Sequence, residues 1–312
     1  MNTNSNSNNN ERLTRPIYDV PEPKIVSRVL MASVGLLCKF WLGFNTVTVH
    51  NGDLLTQQVE KTHKERNPLI TVCNHISNLD DPICWGILPV NLICNASSAR
   101  WTLGASNILF SNQLRSKFFE LGKCIKIVRG DGIYQEGMTE VIDRLTEGQW
   151  LNIFPEGRVN QSGSLLYFKW GVGRMVAECF RKTGITPTVL PIYHNGLQHS
   201  MPLGQKAIPR PFQKLDIFVG ETIDCEPTIK QFLFDNNLDN LDCLQGNEAK
   251  QKELYKNITT HIQDRFQSLE SNSKNKLTLR ERLEQHQHKI AGKNESPTFT
   301  SLLNQDDWRL LL

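Results

Sequence analysis

The sequence predicts an α/β fold with a mixed sheet flanked by helices, on three observations. Short apolar, β-branched runs alternate with segments of helical periodicity; glycines stand where those helices would end; and polar residues able to do chemistry come directly after the apolar runs. Thr46 to His50, Leu69 to Cys73, Cys124 to Val128, Trp150 to Phe154, Thr188 to Ile192 and Leu215 to Val219 predict strands. Helical patterns lie near Pro82 to Leu88, Asn112 to Leu121, Gln135 to Leu145 and Lys169 to Lys182, with Gly122, Gly148 and Gly184 at their ends. Such alternation lays helices on the sheet and brings residues at the strand ends to one edge.

The chain divides into four regions. Residues 1–20 open on an uncharged Asn/Ser-rich stretch, unlike a signal peptide and too poor in arginine for an amphipathic presequence, and predict a disordered tail. Within 21–45, Ile25 to Phe44 is largely apolar, but Arg28 and Lys39 interrupt it and Gly35 and Gly43 weaken it. A spanning helix needs about 20 residues with few or no charges. A helix lying in a membrane interface fits better, with Arg28 and Lys39 reaching toward headgroups while Val29, Leu30, Leu36, Leu37, Phe40 and Trp41 enter the acyl boundary. The same pattern also suits a helix packed on the domain's own core. Residues 46–225 hold the strands, including an apolar stretch from Ile87 to Phe110, charged only at Arg100, that either joins a membrane face or covers the sheet. Residues 226–312 form an extension: Ile223 to Asn247 is loop-like, Glu248 to Leu269 predicts an amphipathic helix, Asn272 onward alternates in charge, and Trp308 to Leu312 is apolar.

Bulk properties exclude little. A 312-residue chain with 39% hydrophobic residues and net charge +3 is an ordinary, slightly basic globular protein, and no nucleic-acid partner is expected. Eight cysteines without a C-x-x-C pair indicate reduced, mostly buried thiols, with neither a zinc site nor a disulfide framework. Gly171-Val172-Gly173 has no preceding strand and lies in a helical pattern, which points to close helix packing, not a dinucleotide fingerprint.

The chemistry centres on Asn74-His75-Ile76-Ser77-Asn78-Leu79-Asp80-Asp81-Pro82. Five helical steps of about 100° would point His75 and Asp80 to divergent faces, so His75 precedes the helix, in a turn after the Leu69 to Cys73 strand. Asp81-Pro82 then provides the N-cap and first helical position, freeing Asp80 to turn back toward the imidazole. A carboxylate on one ring nitrogen fixes the tautomer, and the other nitrogen can take a proton from a hydroxyl, an arrangement suited to acyl transfer. The residues alone also allow His75 satisfied at a strand end with both acids capping the helix.

A second segment bears on that choice. Trp150-Leu151-Asn152-Ile153-Phe154 runs into the turn Pro155-Glu156-Gly157-Arg158-Val159-Asn160. His-x4-Asp, with Phe-Pro-Glu-Gly later in the chain, resembles the glycerolipid acyltransferase superfamily, with Gly122 to Gly132 similar to its second block and Val189 to Gly196 to its fourth. The resemblance spans roughly residues 35 to 225 and implies a single acyltransferase domain in monotopic association with a membrane. Its acyl-CoA-dependent members usually continue the third block as Phe-Pro-Glu-Gly-Thr-Arg, whereas Arg158-Val159-Asn160 stands after the glycine here. With Arg129 to Met138 and Phe168 to Arg174, that departure resembles the superfamily's CoA-independent transacylases. The resemblance implies exchange of acyl chains between phospholipids and lysophospholipids, with no cofactor and no metal. The bilayer partner would contain cardiolipin, monolysocardiolipin and phosphatidylcholine, in mitochondrial membranes on the intermembrane-space side.

The resemblance also assigns roles. His75 and Asp80 form the catalytic pair, and Arg129, Glu156, Gly157 and Arg158 bind the phosphoglycerol; the arginines offer forked donors to phosphate and Glu156 accepts from a glycerol hydroxyl. The residues themselves also permit Glu156 to pair with Arg158 across the turn and Arg129 with Asp131. Lys123, Lys126 and Lys169 add attraction to anionic lipid if they face it. An acyl-CoA-dependent lysophospholipid acyltransferase and an inactive lipid-binding protein are the competing readings.

Overall fold

The computed structural model describes residues 24–204 and 209–291. The expected tail (1–20) and the Trp308 to Leu312 segment lie outside the described residues. Apolar runs on strand-forming β-branched residues produce seven strands: β1 (Thr46–His50), β2 (Leu69–Cys73), β3 (Trp101–Ala105), β4 (Cys124–Ile127), β5 (Trp150–Ile153), β6 (Thr188–Asn195) and β7 (Lys214–Val219). They order as β1-β7-β6-β2-β5-β3-β4, all neighbours parallel except the antiparallel β6–β7 pair. The sheet is therefore mixed, as expected.

β2 lies at the centre and is buried on both faces. Ile70 and Val72 enter a core with the helices Glu136–Thr146 and Gly171–Thr183, while Leu69 and Cys73 enter a second core with Trp85, Leu55 and Met31. This alternation results from the two-residue period of a strand. The six expected strands are present, and β3 is an addition. Trp-Thr-Leu-Gly-Ala contains one large aliphatic residue and a glycine, so its signal merged into the longer Ile87 to Phe110 stretch, part of which is thus an internal strand of the sheet.

The C-terminal region is more ordered than its sequence pattern indicated. Ile223 to Asn247, expected as a loop, contains the helix Glu226–Asp235, which buries Ile229 and Phe232. The expected helix at Glu248 runs on to Ala291. Its Leu254, Tyr255, Ile258, Ile262 and Phe266 complete the first core, and Arg280 pairs with both oxygens of buried Asp216 on β7. A Cβ on Gly173 would lie 2.0 Å from the Tyr255 carbonyl oxygen, so this glycine serves helix packing, as its context predicted.

The N-terminal helix Ile25–Leu42 has the length and composition to cross a membrane, with mean hydropathy 1.7, yet it lies against the domain. A narrow stripe of Ser27, Met31, Gly35 and Leu42 is buried, whereas Val29, Leu36, Leu37 and Phe40 are exposed, Phe40 by 67%. Leu30 and Trp41 are half-buried rather than free for lipid. Lys39 does not reach outward: its ammonium donates to the carbonyls of Leu88 (2.8 Å) and Gly86 (3.4 Å), satisfying acceptors at the end of the Asp80–Gly86 helix.

Candidate active site

Parallel neighbours β2 and β5 end side by side, so the turns after them meet although 81 residues separate His75 from Glu156. Three hydrogen bonds join the turns. The His75 N–H donates to Glu156 Oε1 (2.9 Å), the Asn160 N–H donates to the His75 carbonyl (2.6 Å), and Gln161 Nε2 donates to the Ile76 carbonyl (2.7 Å). Gly157 holds φ +73° in this turn, a conformation that disfavours a side chain.

His75 Nδ1 lies 2.9 Å from Asp80 Oδ2, and the same oxygen accepts from the Ile76 and Ser77 N–H groups at 2.7 and 2.8 Å. Asp80 has 0% exposure. With three donors converging on one oxygen, this buried carboxylate pins the imidazole with its proton on Nδ1. The ring stacks on Phe154 (centroids 4.3 Å, 21°), and its Nε2 has no hydrogen-bond partner among the described residues. The expected pairing of His75 with Asp80 is thus what the fold assembles.

Asp81 is not the N-cap. The helix begins at Asp80, two residues earlier than expected, and the Asp81 carboxylate instead forms an ion pair with Arg100 and accepts from Asn152 Nδ2 at 2.9 Å. Buried Arg100 requires a counter-charge, and that requirement outweighs a cap. Beneath the pair, Cys73 and Cys84 bring their sulfurs to 3.7 Å. Burial, with the neighbouring Cys84, raises Cys73 well above the ordinary thiol range, so it stays protonated and is no nucleophile.

His75 opens onto a cleft of about 540 Å³ between the ends of β3, β4 and β5 and the two helices on that face. Leu103, Ile127, Ile133, Met138, Ile153, Val172 and Met175 make its walls apolar; Arg129, Lys169 and Gly157 stand among its polar lining. The size and lining suit an amphiphile with one charged end. Arg129 and Arg158 are exposed and form no ion pair among the described residues, so neither expected pairing with Asp131 or Glu156 occurs. Arg129 lines the cleft and Arg158 does not.

Glu156 departs from its expected open position. It is 3% exposed, and besides the His75 N–H it accepts from Asn160 Nδ2 (3.0 Å) and the Leu166 N–H (3.1 Å) through Oε2. Unpaired backbone donors in the two turns claim the carboxylate. Lys123 is also withdrawn: it is buried and donates to the Ala96 and Ala99 carbonyls at 2.7 and 3.0 Å, while Lys126 and Lys169 are exposed. Asn74 and His194 were not anticipated as partners; Asn74 exchanges two 2.9 Å bonds with the His194 backbone, a meeting that the β2–β6 register makes possible.

Comparison with known proteins agrees with this geometry. A sequence profile of the family described as Acyltransferase matches residues 46–195. The chain is 54% identical over 266 residues to the Dictyostelium discoideum protein named Taffazin, covering 85% of this chain and 93% of that protein. It is 35% identical to Tafazzin of Drosophila melanogaster over 78% of this chain and 61% of that one. It is also 42% identical to N-acylphosphatidylethanolamine synthase of Arabidopsis thaliana, over 58% and 64% respectively.

Proposed function

The chain belongs to the tafazzin family of acyltransferases, and on that premise we propose that it exchanges acyl chains between phospholipids and lysophospholipids without CoA, remodelling cardiolipin in mitochondrial membranes. The observation that carries the reading is the His75–Asp80 pair with Nε2 unpartnered at one end of an apolar cleft. His75 Nε2 takes the proton of the acceptor lysolipid hydroxyl as that oxygen attacks the donor ester carbonyl. The proton then passes to the leaving lysolipid oxygen as the tetrahedral intermediate collapses. Such proton transfer contributes about 10² to 10⁴-fold, and Asp80 stabilises the imidazolium formed between the steps.

Ester and alcohol change places in this reaction, so the two directions are nearly isoenergetic and no thioester is needed. Arg158 where CoA-using relatives usually carry threonine supports that choice. Arg129 and Lys169 hold the phosphate, and Glu156 and Gly157 shape the turn that supports His75. An amine acceptor, raised by the Arabidopsis relative, is disfavoured by a cleft whose lining, among the described residues, has two cations and no carboxylate.

The protein sits on the bilayer as a monotopic enzyme. Val29, Leu36, Leu37 and Phe40 of the N-terminal helix enter the acyl boundary, while exposed Trp170 and Tyr167 (88%) beside Lys169 lie at headgroup level. The test is mass spectrometry of purified protein with isotope-labelled phosphatidylcholine and monolysocardiolipin, with and without CoA. Labelled cardiolipin forms without CoA and is absent with His75→Ala; strict dependence on added acyl-CoA would establish the competing acyltransferase reading.

A further inference from the structure

Asp80 lies between two imidazoles. Its Oδ2 is taken by His75 and two backbone donors, whereas its Oδ1 is buried, has no hydrogen-bond partner among the described residues, and faces His194 Nε2 at 3.9 Å. His194, 1% exposed at the end of β6, also brings Nε2 to 3.0 Å from the Asn74 carbonyl oxygen. A carbonyl only accepts, so Nε2 carries the ring proton.

Resting on the acyl-transfer reading, we propose that His194 is a positioning residue for the His75–Asp80 pair: its neutral Nε2–H clamps the residue before His75 and turns a dipole, not a charge, toward the free oxygen of Asp80. Neutrality is essential. A second imidazolium beside Asp80 would compete with the one that forms on His75 and would weaken His75 as a base. Burial keeps the ring uncharged, outweighing Asp80's attraction; His75 and Glu156 also act on it, and Glu270 and Lys274 of the long C-terminal helix line the small polar pocket beside it. The Asn74 side chain adds its two bonds to the His194 backbone, so the turn is tied to β6 by three contacts.

The experiment compares wild type, His194→Phe, His194→Gln and His75→Ala in the CoA-free exchange assay, alongside ¹⁵N-histidine NMR of the wild type. His194→Phe keeps a ring but no donor; kcat falls about tenfold with KM little changed, as expected for loss of one N–H hydrogen bond to the Asn74 carbonyl together with the dipole that faces Asp80. The acid limb of kcat/KM moves to higher pH, because losing the dipole leaves the site more negative and stabilises the His75 imidazolium. His194→Gln, retaining an amide donor, recovers most of the rate. NMR shows His194 as the neutral Nε2–H tautomer at pH 7.

A folded His194→Phe enzyme with wild-type kcat and pH profile overturns the proposal, as does a folded glutamine variant no better than the phenylalanine one. Should phenylalanine prevent folding, the NMR tautomer decides: a charged ring or an Nδ1–H form refutes it. Absence of exchange by the wild type refutes the functional reading instead, a result distinguishable from indifference to His194 in an active enzyme.

Discussion

Glu156→Gln separates a residue that supports His75 from one that touches substrate. The carboxylate accepts from three donors: the His75 N–H at 2.9 Å through Oε1, and Asn160 Nδ2 and the Leu166 N–H at 3.0 and 3.1 Å through Oε2. Glutamine offers one acceptor oxygen and a donating NH₂. With its oxygen toward His75 it opposes two donors; reversed, it opposes the His75 N–H. Hydrogen bonds to charged groups are worth about 1.5–3 kcal/mol each, and a buried unpaired donor costs about 1–3 kcal/mol, so the variant loses on the order of 2–4 kcal/mol. For a chain of this size that lowers Tm by about 3–7 °C in calorimetry. Misplacing His75 by about 1 Å costs roughly 10²-fold in rate, so kcat falls while KM for the lysolipid barely moves. Normal kcat with a KM raised tenfold would refute this reasoning and return Glu156 to the glycerol hydroxyl.

Asp80→Asn removes the charge that fixes the His75 tautomer, so kcat drops by about 10³ to 10⁴-fold in the exchange assay, and retention of a tenth of the rate would dismiss the pair. Arg129→Gln raises KM for anionic phospholipid about tenfold, the loss of one charge-assisted contact, whereas Arg158→Gln, outside the cleft, changes it less; steady-state kinetics shows the order. Leu37→Glu with Phe40→Glu, both on the exposed face of the N-terminal helix, abolishes flotation with anionic vesicles and leaves Tm within a few degrees. Thermal melts from pH 7.5 to 5 show stability falling below about pH 6.5. The folded state depresses the basicity of His194 and His50 chiefly by burial, so the unfolded chain binds more protons there; the slope reaches at most about 1.4 kcal/mol per pH unit for buried His194, while solvent screens half-exposed His50. His194→Gln flattens that slope; an unchanged slope would show that His194 titrates as it does in the unfolded chain.

Local sequence determined the features that depend on short-range periodicity and on spacing. The β-branched runs carried their own strand signals, and five positions from His75 to Asp80 demanded a turn before a helix, which the 2.9 Å contact bears out. Arg158 after the Phe-Pro-Glu-Gly turn was equally visible. Where a segment's fate depends on a distant partner, the chain alone was silent. Arg100 drew Asp81 away from capping, backbone donors of two turns drew Glu156 inward, carbonyls captured Lys39 and Lys123, and the β2–β6 register brought His194 behind Asp80. Each is a buried or half-buried polar group whose desolvation cost is offset by a partner from another element, and the order of strands in the sheet helps select that partner.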